Sequence, residues 1–279
     1  MNFKVVYIIF IVLLSVIVLL LRCIIVELIG FIYAFIILAW ADVLVAEHSQ
    51  YGDIFVTRTK IGKRILLIND GVVHSIHNPV NTIPDGYCHV SSGIGQMLSN
   101  TTIVSDTARL TLIGLGGGAI LYYARPQQQW QAYEIDPIVI NLAKNSDLFK
   151  FVANCAAPLH IYNSDGFAAV EQLLQQDVIM IDTFFGDHNV LSTAVFTSLV
   201  NQTQLSTIFI LHVSGLSDAE IENMMNIGMK YGLISIVKEV PSNHSSIKKC
   251  SWHDFQHPFI IPSKWMLMSR NQLHIRAVD

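Results

Sequence analysis

The feature that most constrains the fold is a run of glycines at 114–118, which lies between two apolar segments. The segment 110–113 is typical of a buried strand, and 130–133 is typical of a second strand that ends at Glu134. Glycines let the backbone adopt positive φ angles and let a ligand come close, and a helix that starts there offers N–H groups. An acid after the second strand is placed to accept hydrogen bonds from ribose hydroxyls. The pattern predicts a nucleoside-binding site at the carboxyl edge of a parallel sheet.

The glycine run fits more than one ligand. Gly114, Gly116 and Ala119 match the dinucleotide fingerprint in the form that ends in alanine, with Glu134 at nearly the required distance. The same residues match the first motif of proteins that bind S-adenosylmethionine. A glycine-rich turn that binds nothing is the third interpretation, so other parts of the chain must decide.

Strands and helices alternate after residue 108, which indicates a parallel sheet covered by helices. The predicted strands are 110–113, 131–133, 159–162, 178–181, 208–213, 233–237 and 265–269. The predicted helices are 119–125, 137–145, 166–175, 193–200 and 218–230. Seven strands with a late antiparallel edge are typical of the S-adenosylmethionine-dependent methyltransferase-type, Rossmann-like variant of the doubly wound α/β fold.

A small antiparallel β unit is predicted at 47–105, ahead of the nucleoside-binding domain at 106–279. The tripeptide Asn-Asp-Gly at 69–71 is a strong hairpin signal between apolar runs. The other predicted elements are strands at 53–57, 64–68 and 72–75 and a helix at about 87–98.

The first part of the chain is far more apolar than a typical globular protein, and the whole chain is 52% hydrophobic with only 14% charged residues. No charged residue occurs in 5–21, and Glu27 is the one charge in 23–41. Such stretches are long enough to span a bilayer, as two spans or one long tilted helix, and a cleaved signal peptide is a third interpretation. We therefore expect one or two transmembrane segments within 1–46, membrane contact through residues 4–41, and an inner- or plasma-membrane protein.

Basic residues soon after the apolar stretch favour a cytoplasmic location for the remaining domains. The net charge is −4 and no basic tract is present, which argues against binding of nucleic acid. The four cysteines are scattered along the chain, so neither a disulfide framework nor a metal site is indicated.

Four acids follow predicted strands at the edge where a ligand would bind. They are Glu134, Asp165, Asp182 and Asp187. A dinucleotide-binding enzyme needs the first but has no general need for Asp165 and Asp182 together. The combination favours an adenosyl-sulfonium ligand, although each acid is also a candidate helix N-cap, Asp165 above all.

The chain from about 51 to 270 resembles spermidine synthases, and most of all the membrane-bound spermidine-synthase-like proteins. Order and spacing of the matching motifs hold throughout this range. The motifs lie at 51–56, 67–74, 84–87, 92–95, 114–118, 133–137, 165–166, 182–187 and 212–214, with Trp265 after them.

Spermidine synthases transfer an aminopropyl group from decarboxylated S-adenosylmethionine to putrescine, by attack of a neutral amine on the carbon next to a sulfonium. The resemblance implies a donor that is this compound or S-adenosylmethionine itself, and an amine or polyamine as acceptor. It implies no metal, and since family members are often dimers or tetramers it leaves a homo-oligomer open.

The resemblance also assigns roles to residues of this chain. Glu134 would bind ribose, Asp165 with Gly166 would bind adenine, and the glycine loop would bind the methionine-derived tail. The remaining positions are Gly114, Gly116 and Gly118 in that loop, Asp182 and Asp187 as catalytic groups that face the acceptor, and His74 and Tyr87 in the amine pocket.

The sequence departs from the family at two carboxylate positions. The loop carboxylate that contacts the aminopropyl amine falls on Gly117, and the usual base falls on Phe185. Neither residue can bind an ammonium group or take its proton. The alternatives are therefore a methyltransferase, a non-catalytic relative that binds a nucleoside or polyamine, and an NAD-binding oxidoreductase.

Overall fold

The structure is a computed structural model and describes residues 41–60, 62–80, 82–169, 175–185, 188–189, 192–239 and 263–278. The chain divides into two compact units, Met1–Asp42 and Val43–Asp279. Apart from its first two residues, the described part belongs to the second unit.

A small sheet opens the described chain. Its four strands, which follow one another in sequence order, are β1 (Ala41–Ser49), β2 (Gly52–Thr59), β3 (Ile65–Asn69) and β4 (Val72–His77). β3 pairs antiparallel with β2 on one side and with β4 on the other. The predicted hairpin is confirmed: Asp70 and Gly71 both have positive φ, 46° and 80°, as the two central residues of a tight β-hairpin turn require.

An irregularity in β4 has consequences for the site. Leu67 pairs with Ser75, whereas Ile68 pairs with Val73, so His74 is an extra residue in β4 opposite the β3 strand. Such a β-bulge interrupts the alternation of side chains between the two faces and changes the direction in which one side chain points.

The central sheet has the predicted seven strands. They are β5 (Arg109–Ile113), β6 (Gln129–Glu134), β7 (Leu159–Asn163), β8 (Val178–Ile181), β11 (Ile208–His212), β12 (Ile234–Glu239) and β13 (Lys264–Ser269), and between β8 and β11 lies a separate antiparallel pair, β9 (Phe184–Phe185) with β10 (His188–Asn189). The order across the sheet is β12–β13–β11–β8–β5–β6–β7. Every residue of β8 and β11 is buried, as expected for central parallel strands covered on both faces.

The last strand confirms the methyltransferase-like variant of the fold. β13 runs antiparallel to both of its neighbours, β11 and β12, while β11, β8, β5, β6 and β7 are mutually parallel. The antiparallel strand thus enters next to the edge of the sheet, and β12 forms the edge itself.

Helices connect the strands and begin at side-chain caps. The described α-helices are α1 (Gly93–Ser99), α2 (Pro137–Lys144), α3 (Thr193–Gln202), α4 (Asp218–Lys230) and α5 (Gln272–Arg276). Asp136 caps α2, whose first residue is proline, and Ser217 and Glu220 form a reciprocal capping box at α4.

Three predicted helices differ from the structure. The segment 119–125 forms a short 3-10 helix, Ala119–Tyr123, and the segment 87–98 divides into a 3-10 turn, Gly86–Cys88, and α1. Residues 166–169 form turns, and the rest of the helix predicted at 166–175 lies mainly outside the described residues.

The prediction of a membrane location is corrected by the structure. Among the described residues, no helix is both long and apolar enough to cross a membrane. The longest of them, α4, has 13 residues and at 1.5 Å per residue is about 20 Å long, shorter than the roughly 30 Å hydrocarbon core. Residues 4–40 lie outside the described part, and Ala41, the end of the expected membrane contact, begins β1. Basic residues after the apolar stretch predict a cytoplasmic location only if that stretch spans the membrane. The correction therefore applies to that expectation as well.

A separate apolar cluster joins the small sheet to the rest of the second unit. Ile54 and Val56 of β2 and Leu67 of β3 are at most 1% exposed, and they pack with Val139 of α2 and Phe149. Burial of this size contributes about 1.5 to 3 kcal/mol for each large side chain. The hairpin of β3 and β4 is thereby held at the edge of the central sheet where the glycine loop lies.

Candidate functional site

A cavity of about 320 Å³ lies at the carboxyl edge of β5, β6 and β8, with the β3–β4 hairpin on its other side. Eight of the ten predicted site residues line it. They are Gly114, Gly116, Glu134, Asp165, Gly166, Asp182, His74 and Tyr87. Gly118 does not line it but is the N-cap that precedes the 3-10 helix, with φ +82°, and Asp187 lies outside the described residues.

Gly114 is required where the chain after β5 passes close to the residue that follows β8. It has φ +91°, and a Cβ atom on it would lie 2.0 Å from the backbone oxygen of Asp182. Any side chain would therefore push the two strand ends apart. This close approach brings the first loop residue next to Asp182, the acid that follows β8.

The glycine loop offers no N–H group to a ligand, because each of its five N–H groups already has an acceptor within the protein. The pairs are Gly114 N with Tyr133 O at 2.9 Å, Leu115 N and Gly116 N with Glu134 Oε2 at 3.0 and 3.4 Å, Gly117 N with Ser75 Oγ at 2.8 Å, and Gly118 N with Leu115 O at 2.9 Å. A loop that cradles phosphate or carboxylate needs such groups free. The N–H groups of this loop are instead bound by acceptors within the protein.

Ser75 occupies the space beside Gly117. A Cβ atom on Gly117 would lie 2.8 Å from Ser75 Cβ and 3.1 Å from a ring carbon of Phe149. The position at which the resemblance places a carboxylate is therefore closed to any side chain. The hydroxyl of Ser75 links β4 directly to the loop.

Glu134 ends β6 and organises the loop. Its Oε1 accepts a hydrogen bond from the N–H of Asp136 at 3.1 Å, and its Oε2 accepts those of the loop. Burial raises the pKa of the Glu134 carboxyl, and the backbone N–H donors act in the opposite direction. Each carboxylate oxygen has two lone pairs, so the side chain retains capacity for ligand hydroxyls.

Asp165 and Gly166 form a tight turn after β7. Asp165 Oδ1 accepts a hydrogen bond from the N–H of Phe167 at 2.8 Å, which is the local structural role considered for this acid. A Cβ atom on Gly166 would lie 2.7 Å from Ile113, so glycine allows the turn to pack against β5. The carboxylate stays at the cavity.

Asp182 forms a dyad with His212, a residue that was not assigned to the site from the sequence. His212 Nδ1 lies 2.7 Å from Asp182 Oδ1, and the histidine is 5% exposed. Its ring stacks on Trp265 at 4.3 Å with an interplanar angle of 5° and on Tyr87 at 5.0 Å. The available signal was a histidine at the end of β11, at the same edge as the acids.

His74 and Tyr87 come from the hairpin and from the 3-10 turn that follows it. The hydroxyl of Tyr87 donates to the backbone carbonyl of His74 and is also within hydrogen-bonding reach of Asp182. Burial raises the pKa of the Tyr87 hydroxyl and lowers the pKa of His74. Both side chains are therefore neutral near pH 7.

Three further polar atoms are buried at the cavity wall without a hydrogen-bond partner in the described part of the chain. They are Asn69 Oδ1, Asp136 Oδ2 and Thr183 Oγ1. Since buried polar atoms are normally paired, these three atoms are exceptions in the described part of the wall. These residues lie next to a turn, at a helix cap and after a strand. Each position has an ordinary structural explanation, so the sequence does not mark any of them as a site residue.

The charged side chains that line the cavity are all acidic. Its lining includes four acids, Glu134, Asp136, Asp165 and Asp182, and no lysine or arginine. In the described ranges, no group of three or more histidine, cysteine or acidic side chains is arranged to hold a metal ion. The wall is suited to a ligand that carries positive charge and hydroxyl groups.

The fold is that of spermidine synthases. The chain matches the spermidine synthase of Thermotoga maritima with a TM-score of 0.58 at 15% identity, over 85% of this chain and 75% of the other. It matches a spermidine synthase in complex with the transition state analogue AdoDATO with a TM-score of 0.57 at 13% identity, over the same shares. A probable spermidine synthase from Corynebacterium glutamicum gives 0.53 at 14% identity, over 82% and 79%.

Sequence comparison adds nothing to this. No protein-family model matches the chain, and no curated protein matches it. At 13–15% identity the structural likeness defines the fold, while the membrane-bound branch of the resemblance finds no support.

Proposed function

We propose that the chain is a spermidine-synthase-like transferase that binds decarboxylated S-adenosylmethionine and transfers its aminopropyl group to an amine. The observation that carries the proposal is the acid-lined cavity beside a glycine loop whose N–H groups are all engaged. The shared fold with spermidine synthases is consistent with it.

The glycine loop separates the candidate ligands. An NAD pyrophosphate requires free N–H groups at this loop, and the five groups at 114–118 are engaged by protein acceptors. The carboxylate of S-adenosylmethionine would likewise find neither a free loop N–H nor a cation in the cavity wall. Decarboxylated S-adenosylmethionine carries no anionic group, and its sulfonium and amine suit the acidic wall.

In this proposal each acid binds a different part of the donor. Glu134 accepts hydrogen bonds from the ribose hydroxyls, and Asp165 accepts one from the adenine amino group. Asp182 lies across the loop from them and faces the sulfonium side of the donor and the acceptor amine. Asp187 remains a proposed catalytic group, although it lies outside the described residues.

A non-catalytic relative is the competing function, and two observations favour it. Ser75 closes the position of the loop carboxylate beside Gly117, and Phe185 occupies the position of the usual base. A protein with these changes would still bind the nucleoside through Glu134 and Asp165, but it would transfer nothing.

Calorimetric titration of the full chain distinguishes these functions. The ligands are decarboxylated S-adenosylmethionine, S-adenosylmethionine, methylthioadenosine and NAD. We expect the decarboxylated donor to bind about 10- to 100-fold more tightly than S-adenosylmethionine, which is about 1.4 to 2.8 kcal/mol. We expect E134Q to weaken binding strongly and E222Q, on exposed surface of α4, to leave it unchanged.

Product analysis completes the test. The donor is incubated with the enzyme and 1,3-diaminopropane, putrescine, cadaverine or spermidine, and nucleoside products are separated. Release of methylthioadenosine that depends on an amine supports aminopropyl transfer. Binding without any turnover supports the non-catalytic relative, and preference for S-adenosylmethionine with methyl transfer would overturn the proposal.

A further inference from the structure

We propose that His212 is a positioning residue, which acts on the reaction through Asp182 by holding that carboxylate in one orientation at the cavity. This inference rests on the proposed function, in which Asp182 faces the sulfonium side of the donor and the acceptor amine. It is supported by the register of the strands, by the hydrogen bond between the two side chains and by the packing of the imidazole ring.

Strand register places the two side chains side by side. Leu211 pairs with Ile181 in the parallel pair of β11 and β8, so His212 comes level with Asp182 one residue further along. On the other side of β11, His212 pairs with Trp265 of β13. Residues that are level on neighbouring strands project from the same face of a pleated sheet. Trp265, His212 and Asp182 therefore form a row across the carboxyl edge of the sheet.

The row ends at a glycine, and that is where the cavity begins. Ile113 of β5 pairs with Ile181 of β8, so Gly114 comes level with Asp182 on the side away from His212. Glycine has no side chain, and the space beside Asp182 stays open there. The described lining of the cavity includes Gly114 and Asp182 but neither His212 nor Trp265. His212 thus reaches the cavity only through the carboxylate that it contacts.

The hydrogen bond in this row has a defined donor. His212 Nδ1 lies 2.7 Å from Asp182 Oδ1, which is within the range of a hydrogen bond to an ionised carboxylate. An ionised carboxylate can only accept, so the Nδ1–H of the imidazole donates to it. This bond fixes Oδ1, and a carboxylate with two oxygens retains acceptor capacity for an amine.

Packing fixes the plane of the imidazole. His212 is 5% exposed and Trp265 is fully buried, and their rings lie 4.3 Å apart at an interplanar angle of 5°. The ring of Tyr87 lies 5.0 Å from that of His212. The stacking sets the plane of the imidazole, and the hydrogen bond sets which edge of the ring faces Asp182. The carboxylate is therefore oriented by a group that cannot itself turn away.

Loss of this hydrogen bond should affect turnover and not donor binding. A displacement of about 1 Å in a reacting arrangement can lower the rate about 10²-fold, and Asp182 would lose the contact that orients it. The nucleoside is bound in the proposed function by Glu134 and Asp165. These acids follow β6 and β7, which are three and four strands away from β11 in the sheet.

Two substitutions at position 212 separate hydrogen bonding from packing. H212N keeps an N–H donor near the place of Nδ1 but loses the ring, whereas H212F keeps a ring on Trp265 and has no donor. With the decarboxylated donor and each of the four amines, we expect H212F to bind the donor as the parent does and to react about 10²-fold more slowly in a single turnover. H212N should react faster than H212F. H160Q is the control, since His160 is exposed on β7, and should react at the parent rate.

The opposite order of rates would overturn the inference, because H212F at the parent rate and a slow H212N would mean that the ring only packs. A second measurement needs no variant. Nitrogen-15 NMR of the parent, with the His212 signals assigned through contacts with the Trp265 indole, should show a proton on Nδ1 at neutral pH, and a bare Nδ1 would overturn the inference alone. A parent that releases no methylthioadenosine with any of the amines overturns the proposed function as well.

Discussion

At the scale of single residues, glycines of the same φ sign serve different purposes. Gly71 has φ +80° and a Cβ atom there would meet nothing within 4 Å, whereas a Cβ atom at Gly114 would meet the Asp182 backbone at 2.0 Å. The first position needs glycine for its backbone angle only. The second needs it for the angle and for the contact between β5 and β8.

This difference predicts unequal costs for the same substitution. We expect G71A to lower the free energy of unfolding by about 1 to 2 kcal/mol, the cost of one left-handed alanine. We expect G114A to cost more than about 4 kcal/mol, because strand ends must separate as well. Urea titration followed by circular dichroism measures both, and equal losses would contradict the role assigned to the β5–β8 contact.

Most of the candidate site could be predicted residue by residue, and the exceptions have a physical cause. Glu134, Asp165 and Asp182 follow strands, and strand ends of a parallel sheet meet at one edge. His212 ends β11 at the same edge, but its ring contacts with Tyr87 and Trp265 bring together three distant segments. No local pattern reports such a contact.

At the scale of elements, strands were predicted more accurately than helices. The segment 178–181 matches β8 in both of its bounds. Four consecutive apolar residues between polar ones are too few for a buried helix and fit a buried central strand. The apolar pattern predicts one helix over 87–98, whereas Ser92 starts a new helix by capping α1 after the 3-10 turn Gly86–Cys88. The bulge in β4 was also missed, because it depends on pairing with β3.

A buried ion pair holds the element that carries Tyr87. Arg64 Nε lies 2.5 Å from Asp85 Oδ2, with side chains 6% and 4% exposed. Asp85 directly precedes the 3-10 turn Gly86–Cys88, and Arg64 directly precedes β3. The pair therefore fixes Tyr87 relative to the hairpin that carries His74.

The ion pair leads to a prediction from a double-mutant cycle. We expect R64M to lower the free energy of unfolding by about 3 to 5 kcal/mol, because Asp85 would remain buried without its partner. We expect R64M/D85L to recover most of that loss, since two apolar side chains leave no buried charge. Chemical unfolding of the four proteins provides the test, and a double variant as unstable as the sum of the single ones would contradict it.

At the scale of the whole molecule, fully and partly buried histidines should make folding depend on pH. Burial lowers the pKa of His77 to about 4, and burial also lowers the pKa of His74, His89 and His274. His77 is 1% exposed between Phe149 and Phe151, and neither ring nitrogen has a hydrogen-bond partner in the described ranges. Lys150 lowers its pKa further.

The sign of the effect follows from proton binding. Below an unfolded pKa of about 6.5 the unfolded chain binds protons at these histidines and the folded chain does not, so acid favours unfolding. Glu134 acts oppositely, because burial raises its pKa and stability is lost there as pH rises. One glutamate opposes four histidines, so the histidines should dominate between pH 6.5 and 4.

We therefore expect the free energy of unfolding to fall steadily from pH 6.5 to 4, with His77 contributing up to about 3 kcal/mol, since one pKa unit corresponds to about 1.4 kcal/mol. H77F should flatten that part of the curve, because phenylalanine suits a pocket of two aromatic rings and binds no proton. H160Q should leave the curve unchanged. Unfolding measured at half-unit pH steps is the test, and an H77F curve parallel to that of the parent would place the pH dependence elsewhere.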